Sequence, residues 1–96
     1  MPKAYVICDI DVTDPEAYAD YRALSTAAGE TYGATFLVRG GATTVLEGDW
    51  DPTRVVILEF ADVEAAKRWY ESPEYSEAKS VRQKAAASNF LLVEGA

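Results

Sequence analysis

The stretch Phe36-Leu37-Val38-Arg39-Gly40-Gly41, followed by Leu46-Glu47-Gly48-Asp49-Trp50 and then by Arg54-Val55-Val56-Ile57-Leu58-Glu59-Phe60, decides how this chain is read. It sets charged side chains inside runs that otherwise have the apolar, β-branched character of buried strands. Gly40-Gly41 has two readings. A tight hairpin there adds a strand and reverses the direction of everything downstream; a bulge inside one long strand over residues 34–47 leaves the order βαββαβ intact. The bulge is the expectation, because it preserves the alternation set by the flanking segments.

Upstream, residues 4–11 alternate, with Val6, Cys8 and Ile10 on one face and Tyr5, Ile7, Asp9 and Asp11 on the other, which predicts a first strand. Asp14-Pro15-Glu16 starts a helix: proline suits the first helical position and leaves Asp14 as the cap. The helix is expected to reach Tyr32 and stop at Gly33. Ala17, Tyr21, Leu24 and Ala28 recur at helical spacing toward the sheet, with Tyr18, Ser25 and Tyr32 on an adjoining stripe. Downstream, residues 48–53 form a turn and residues 54–61 a strand, with Val56, Leu58 and Phe60 on one face and Val55, Ile57 and Glu59 on the other. Asp62 caps a helix carrying Val63, Ala66 and Tyr70. Ser72-Pro73 breaks it and opens another, in which Tyr75, Ala78, Arg82 and Ala85 share a side. Residues 88–94 make a closing strand.

The chain has 96 residues, enough for one domain over residues 1–96 with a modest core. Sixteen acidic against nine basic residues leave a net charge of −7, which repels nucleic acid and anionic membranes. No segment has the length of a membrane span or the character of a leader peptide, so a cytoplasmic location is expected. A single cysteine, Cys8, and no histidine exclude an internal disulfide, thiol-rich zinc and histidine-dependent catalysis. No metal loop is present, and neither metal nor cofactor is expected. Cys8 reads as inert core.

A βαββαβ chain makes an α+β, ferredoxin-like, four-stranded antiparallel sheet whose helices cover one face. The other face carries Tyr5, Ile7, Leu37, Val55 and Ile57, with Phe90 and Leu92 or their neighbours according to register. An apolar patch of that extent calls for a partner, and a two-fold homodimer joined sheet to sheet is the expectation. By strand parity Asp9, Arg39 and Glu59 point to this uncovered face. They are the candidate catalytic residues, with Arg39 holding an anion and a carboxylate moving a proton; an ion-pair cluster fixing dimer register is the plainer alternative. Tyr18, Tyr21, Arg39, Trp69, Tyr75 and Arg82 are the candidate ligand-binding set, although aromatic stripes at helical spacing also build ordinary cores. Trp50 stands out as an aromatic in a polar turn, placed to cover a partner subunit or a pocket mouth.

The blocks Tyr5-Val6-Ile7, residues 11–18, Phe36-Leu37-Val38-Arg39-Gly40-Gly41, Glu47-Gly48-Asp49-Trp50 and Trp69-Tyr70-Glu71-Ser72-Pro73-Glu74-Tyr75 together resemble the domain-of-unknown-function family 1330 (DUF1330). The resemblance covers nearly the whole chain. It implies membership of the dimeric α/β-barrel superfamily, whose subunits pair through their sheets and often hold pockets between helices and sheet. That superfamily includes cofactor-free monooxygenases, muconolactone-type isomerases, haem-binding enzymes and stress-induced proteins. Without histidine, this chain lacks the axial ligand of the haem-binding members. Arg39, Trp69 and Tyr75 are the positions that match the family's strongest motifs. Two functions stand at this point: a small homodimer binding an aromatic or unsaturated acid as a cofactor-free isomerase or monooxygenase, and a non-catalytic binding or stress-related interaction module. Fold alone does not choose between them, and enzymatic activity stays open.

Overall fold

Burial alternates strictly along the first strand, β1 (Ala4–Val12): Ala4, Val6, Cys8 and Ile10 are buried and the residues between them are half-exposed. This is the signature of a sheet packed on one side. The structure, a computed structural model, describes residues 2–96. The remaining elements are α1 (Pro15–Thr31), β2 (Thr35–Arg39), β3 (Val55–Phe60), α2 (Val63–Glu71), α3 (Pro73–Ala85) and β4 (Ala86–Glu94). The strands form one antiparallel sheet in the order β2-β3-β1-β4. Two β-α-β crossovers interleave so that β1 and β3 are central, which is the ferredoxin-like arrangement.

The helix boundaries follow from their capping chemistry. Asp14, Asp62 and Ser72 each accept a hydrogen bond from the backbone N–H three residues on, satisfying a donor that the first turn leaves free. Pro15 and Pro73 occupy first-turn positions, where no N–H is needed. Gly33 ends α1 with φ +76°, a left-handed conformation that favours glycine. Between the helices and one face of the sheet lies a single core. Trp69 and Tyr75 are its largest side chains, their ring centroids 4.2 Å apart, and Phe60 packs on Trp69 at 5.2 Å.

Two expectations need correction at β2. The strand ends at Arg39 instead of running over residues 34–47, and Gly40-Gly41 is neither hairpin nor bulge: Gly40, at φ +75°, turns the chain out of the sheet. Residues 41–54 then make an excursion without regular structure before β3 begins. A bulge does exist, but at Leu37. Phe36 pairs with Leu58 and Val38 with Ile57, so Leu37 is the extra residue. An extra residue inverts the alternation beyond it. Arg39 therefore pairs with Val56 and lies on the helix-covered face, not the open one.

The open face carries Tyr5, Ile7 and Asp9 of β1, Val55, Ile57 and Glu59 of β3, and Leu91 and Val93 of β4. Pairing of Cys8 with Phe90 and of Val6 with Leu92 resolves the register, sending Phe90 and Leu92 to the core side. Leu37, Leu91 and Val93 are exposed. So are Leu46, at 95 %, and Trp50, at 65 %, on the excursion. These two line an open recess of about 420 Å³ with Val45, Pro52 and Val55, away from the helix–sheet interior.

Gly40 does more than turn. A Cβ there would overlap the Arg54 guanidinium, whereas one at Gly33 would meet open space. Gly33→Ala should therefore cost only the backbone penalty of about 1–2 kcal/mol. Gly40→Ala should cost that and also displace Arg54, a larger loss in the midpoint of urea unfolding than Gly33→Ala gives.

Candidate functional site

A cleft opens between α1 and the sheet where the aromatic stripe of the helix meets β2 and β3. Its walls come from Cys8 and Ile10 of β1, Tyr18, Tyr21, Arg22 and Ser25 of α1, Phe36 and Arg39 of β2, Arg54, Val56 and Leu58, and Trp69 of α2. The space inside is narrow, about 20 Å³. Four of the six candidate binding residues, Tyr18, Tyr21, Arg39 and Trp69, thus meet at one place. The remaining two, Tyr75 and Arg82, stand behind Tyr21 in a buried chain of hydrogen bonds.

That chain has a direction fixed by its chemistry. Arginine only donates, so Arg82 Nη1 donates to Tyr75 Oη at 2.6 Å. Tyr75 is fully buried, and the acceptor within reach of its own proton is Tyr21 Oη at 2.8 Å. The Tyr21 proton is then left for the cleft wall, where Ser25 stands within hydrogen-bonding reach beside it. A charged donor at the far end polarises each link in turn, so Tyr21 is a strengthened donor. Burial raises the pKa of Tyr75 and of Tyr21 above the ordinary phenol range, more than the nearby guanidinium lowers them. Both phenols stay neutral at physiological pH and act as donors, not bases. The Cys8 thiol, buried among them, is pushed up to about 12 and stays protonated.

Arg82 is itself 5 % exposed, stacked 4.1 Å from the Phe90 ring, with no carboxylate partner and its Nε without an acceptor. A buried ion without a counter-ion is costly. The chain nonetheless keeps it beside the tyrosines.

The proposed triad of Asp9, Arg39 and Glu59 does not assemble. The Leu37 bulge carries Arg39 to the other side of the sheet, where it donates to Thr26 Oγ1 and lies 4.2 Å from the Phe36 ring centroid. Asp9 and Glu59 do share the open face, but Asp9 pairs across β3 with Val55 while Glu59 pairs with Tyr5. Asp9 accepts from the Thr53 backbone N–H at 2.9 Å and from its hydroxyl at 2.8 Å, bonds that hold its pKa below the usual carboxylate range. Glu59 pairs with Lys3 at 3.2 Å, the one salt bridge among the described residues. Both carboxylates thus have structural partners, and the cleft lining contains no carboxylate.

Arg22 and Arg54 are the site residues that sequence reasoning passed over. Arg22, itself exposed, shares the helical stripe of Tyr18 and Ser25, and Arg54 has the parity of Val56 and Leu58, which is the signal that could have found them. The described residues contain no cluster of three metal-binding side chains.

Because the folded state holds protons on Cys8, Tyr21 and Tyr75 that the unfolded chain releases from about 9.0 and 10.0 upward, stability should be level at neutral pH and fall above about pH 9. Cys8→Ala should delay the onset, as followed by urea unfolding against pH. Tyr75→Phe should cost about 2 kcal/mol by leaving a buried guanidinium without its acceptor, whereas Arg82→Met should hold or raise stability, since it removes an unpaired buried charge.

Comparison with known proteins places this geometry in a family. No curated protein matches the sequence. Among solved structures, a protein of unknown function from Rhodopseudomonas palustris superposes with a TM-score of 0.79 at 24 % identity, over 99 % of this chain and 83 % of that one. SnoaB, a cofactor-independent oxygenase from Streptomyces nogalater, gives 0.70 at 18 % identity, over 97 % and 92 %. A dimeric ferredoxin-like protein of unknown function from a Jannaschia species gives 0.71 at 10 %, over 96 % and 98 %. At these identities the likeness is one of fold. The profile of the domain of unknown function DUF1330 matches residues 3–96, and the chain belongs to that family.

Proposed function

We propose that this protein is a cytoplasmic homodimer that binds a small organic ligand, of the aromatic or unsaturated acid class, between its helices and sheet, and acts on it as a cofactor-free isomerase or monooxygenase. The observation that carries this reading is the Arg82–Tyr75–Tyr21 chain: a buried cation with no counter-ion, wired through two neutral phenols to a cleft. Such an arrangement stabilises negative charge developing on a bound molecule, as preorganised donors do in a dry site. The reactive anion is the ligand's own conjugate base, its proton given up to water, because no carboxylate base lines the cleft. SnoaB lends the cofactor-free oxygenase class to this proposal through shared fold alone.

Dimerisation rests on the open sheet face. Ile7 faces Ile57 at its centre, flanked by Tyr5, Leu91 and Val93, and no helix covers them. Apolar burial at about 25 cal/mol per Å² favours pairing of two such faces. Membership of a fold that includes dimeric relatives agrees with this.

A second reading, a non-catalytic binding or stress-related module, is favoured by the small volume of the cleft and by its lack of a base. Turnover separates the two. With hydroxylated aromatic and unsaturated acids, and no added metal or cofactor, dissolved-oxygen uptake or an isomerised product by NMR is expected, and Tyr21→Phe should lower it about 10²-fold. Binding without either reaction across the panel favours the module. Equilibrium sedimentation at micromolar concentration should show a dimer, and Ile57→Asp a folded monomer; a single wild-type subunit contradicts the assembly.

A further inference from the structure

The mouth of the cleft is more positive than this acidic chain would lead one to expect. Four of the five arginines converge on the site: Arg82 behind it, and Arg22, Arg39 and Arg54 in its lining. None has a carboxylate within salt-bridge distance among the described residues, although the chain carries sixteen acidic residues. Each is positioned by a separate device. The Leu37 bulge brings Arg39 to this side, where Thr26 and the Phe36 ring hold it. The missing side chain of Gly40 makes room for Arg54, whose Nε donates to Tyr18 Oη at 3.2 Å. Arg22 follows Tyr18 by one helical turn on α1.

We infer that Arg22, Arg39 and Arg54 form an anion-recognition site that takes the carboxylate head of a small organic acid, head first, into the cleft. This inference rests on the reading of the helix–sheet interior as a ligand site and names the group that enters it. Size sets the orientation. About 20 Å³ exceeds what one water needs and accepts the oxygens of a carboxylate, but not a ring. The hydrocarbon part lies outward of the head, against Tyr18 and Phe36 of the cleft lining. Donor chemistry sets the sign. Tyr21 and Trp69 also line the cleft, and the Trp69 indole N–H is buried without an acceptor. An ionised carboxylate only accepts, with about four lone-pair sites, and so matches a lining that holds three guanidinium groups and no carboxylate.

The test uses the full-length protein at constant ionic strength, with benzoate, its neutral counterpart benzamide, and inorganic phosphate as probes. The readout is the Trp69 indole ¹H–¹⁵N resonance, with that of Trp50 as an internal reference. Benzoate should shift Trp69 and not Trp50, benzamide should shift neither, and phosphate should compete with benzoate. The double variant Arg39→Gln/Arg54→Gln should weaken benzoate about tenfold or more, while Arg68→Gln, on the exposed side of α2, should not. Equal binding of benzoate and benzamide, or benzoate binding unchanged in the double variant, overturns the inference. If neutral ligands still bind in a Tyr21-dependent way, the interior ligand site stands without it. Phosphate binding in the absence of benzoate binding overturns the carboxylate assignment in favour of a phosphoryl group.

Discussion

One unpaired charge organises the interior of this protein. Arg82 sits in the core, pressed on Phe90 and bonded to Tyr75, without the carboxylate that would ordinarily accompany it. Its cost has to be offset by the surrounding packing, and that packing is dense: Trp69, Tyr75 and Phe60 interlock above the central strands. A core built only for stability would have an apolar residue at that position. The guanidinium instead orients both hydroxyl protons, and its influence ends at Tyr21, on the wall of the cleft. Burial keeps the phenols neutral, so what reaches the cleft is a donor backed by a positive charge.

The same logic separates the two faces of the sheet. Carboxylates Asp9 and Glu59 are on the open side, tied to Thr53 and Lys3. Arginines collect on the covered side. The device that sorts them is one extra residue in β2. Without Leu37, Arg39 would project to the open face that carries Asp9 and Glu59, and the cleft would lose one of its cations. Gly40 then completes the arrangement by ending the strand and leaving space for Arg54.

Much of the architecture was legible from local chemistry. Alternation along β1 and β3, the caps Asp14, Asp62 and Ser72, and the stops at Gly33 and Ser72-Pro73 are each set by a few neighbouring residues, and the structure has them where those residues imply. The gathering of Tyr18, Tyr21, Trp69, Tyr75 and Arg82 followed from helical spacing. The bulge did not, because nothing within Phe36-Leu37-Val38 distinguishes it from a regular strand. It is specified by pairing with β3 some twenty residues away, and the conspicuous glycine pair drew the reading to the wrong position. Strand parity alone therefore puts Arg39 on the open face, and the extra residue moves it to the covered one. Arg22, exposed at the middle of α1, and Arg54, just ahead of β3, carry no local mark that separates them from the solvated arginines usual at a surface.

The account stands or falls on whether Arg82 is charged, enclosed and bonded to Tyr75 in solution. Nitrogen-15 NMR of arginine-labelled protein at neutral pH reports this through the exchange of each Nε–H with water. The account predicts one slowly exchanging Nε–H signal, assigned to Arg82, that moves in Tyr75→Phe. An Arg82 signal exchanging as fast as that of exposed Arg68, and indifferent to Tyr75, would contradict it.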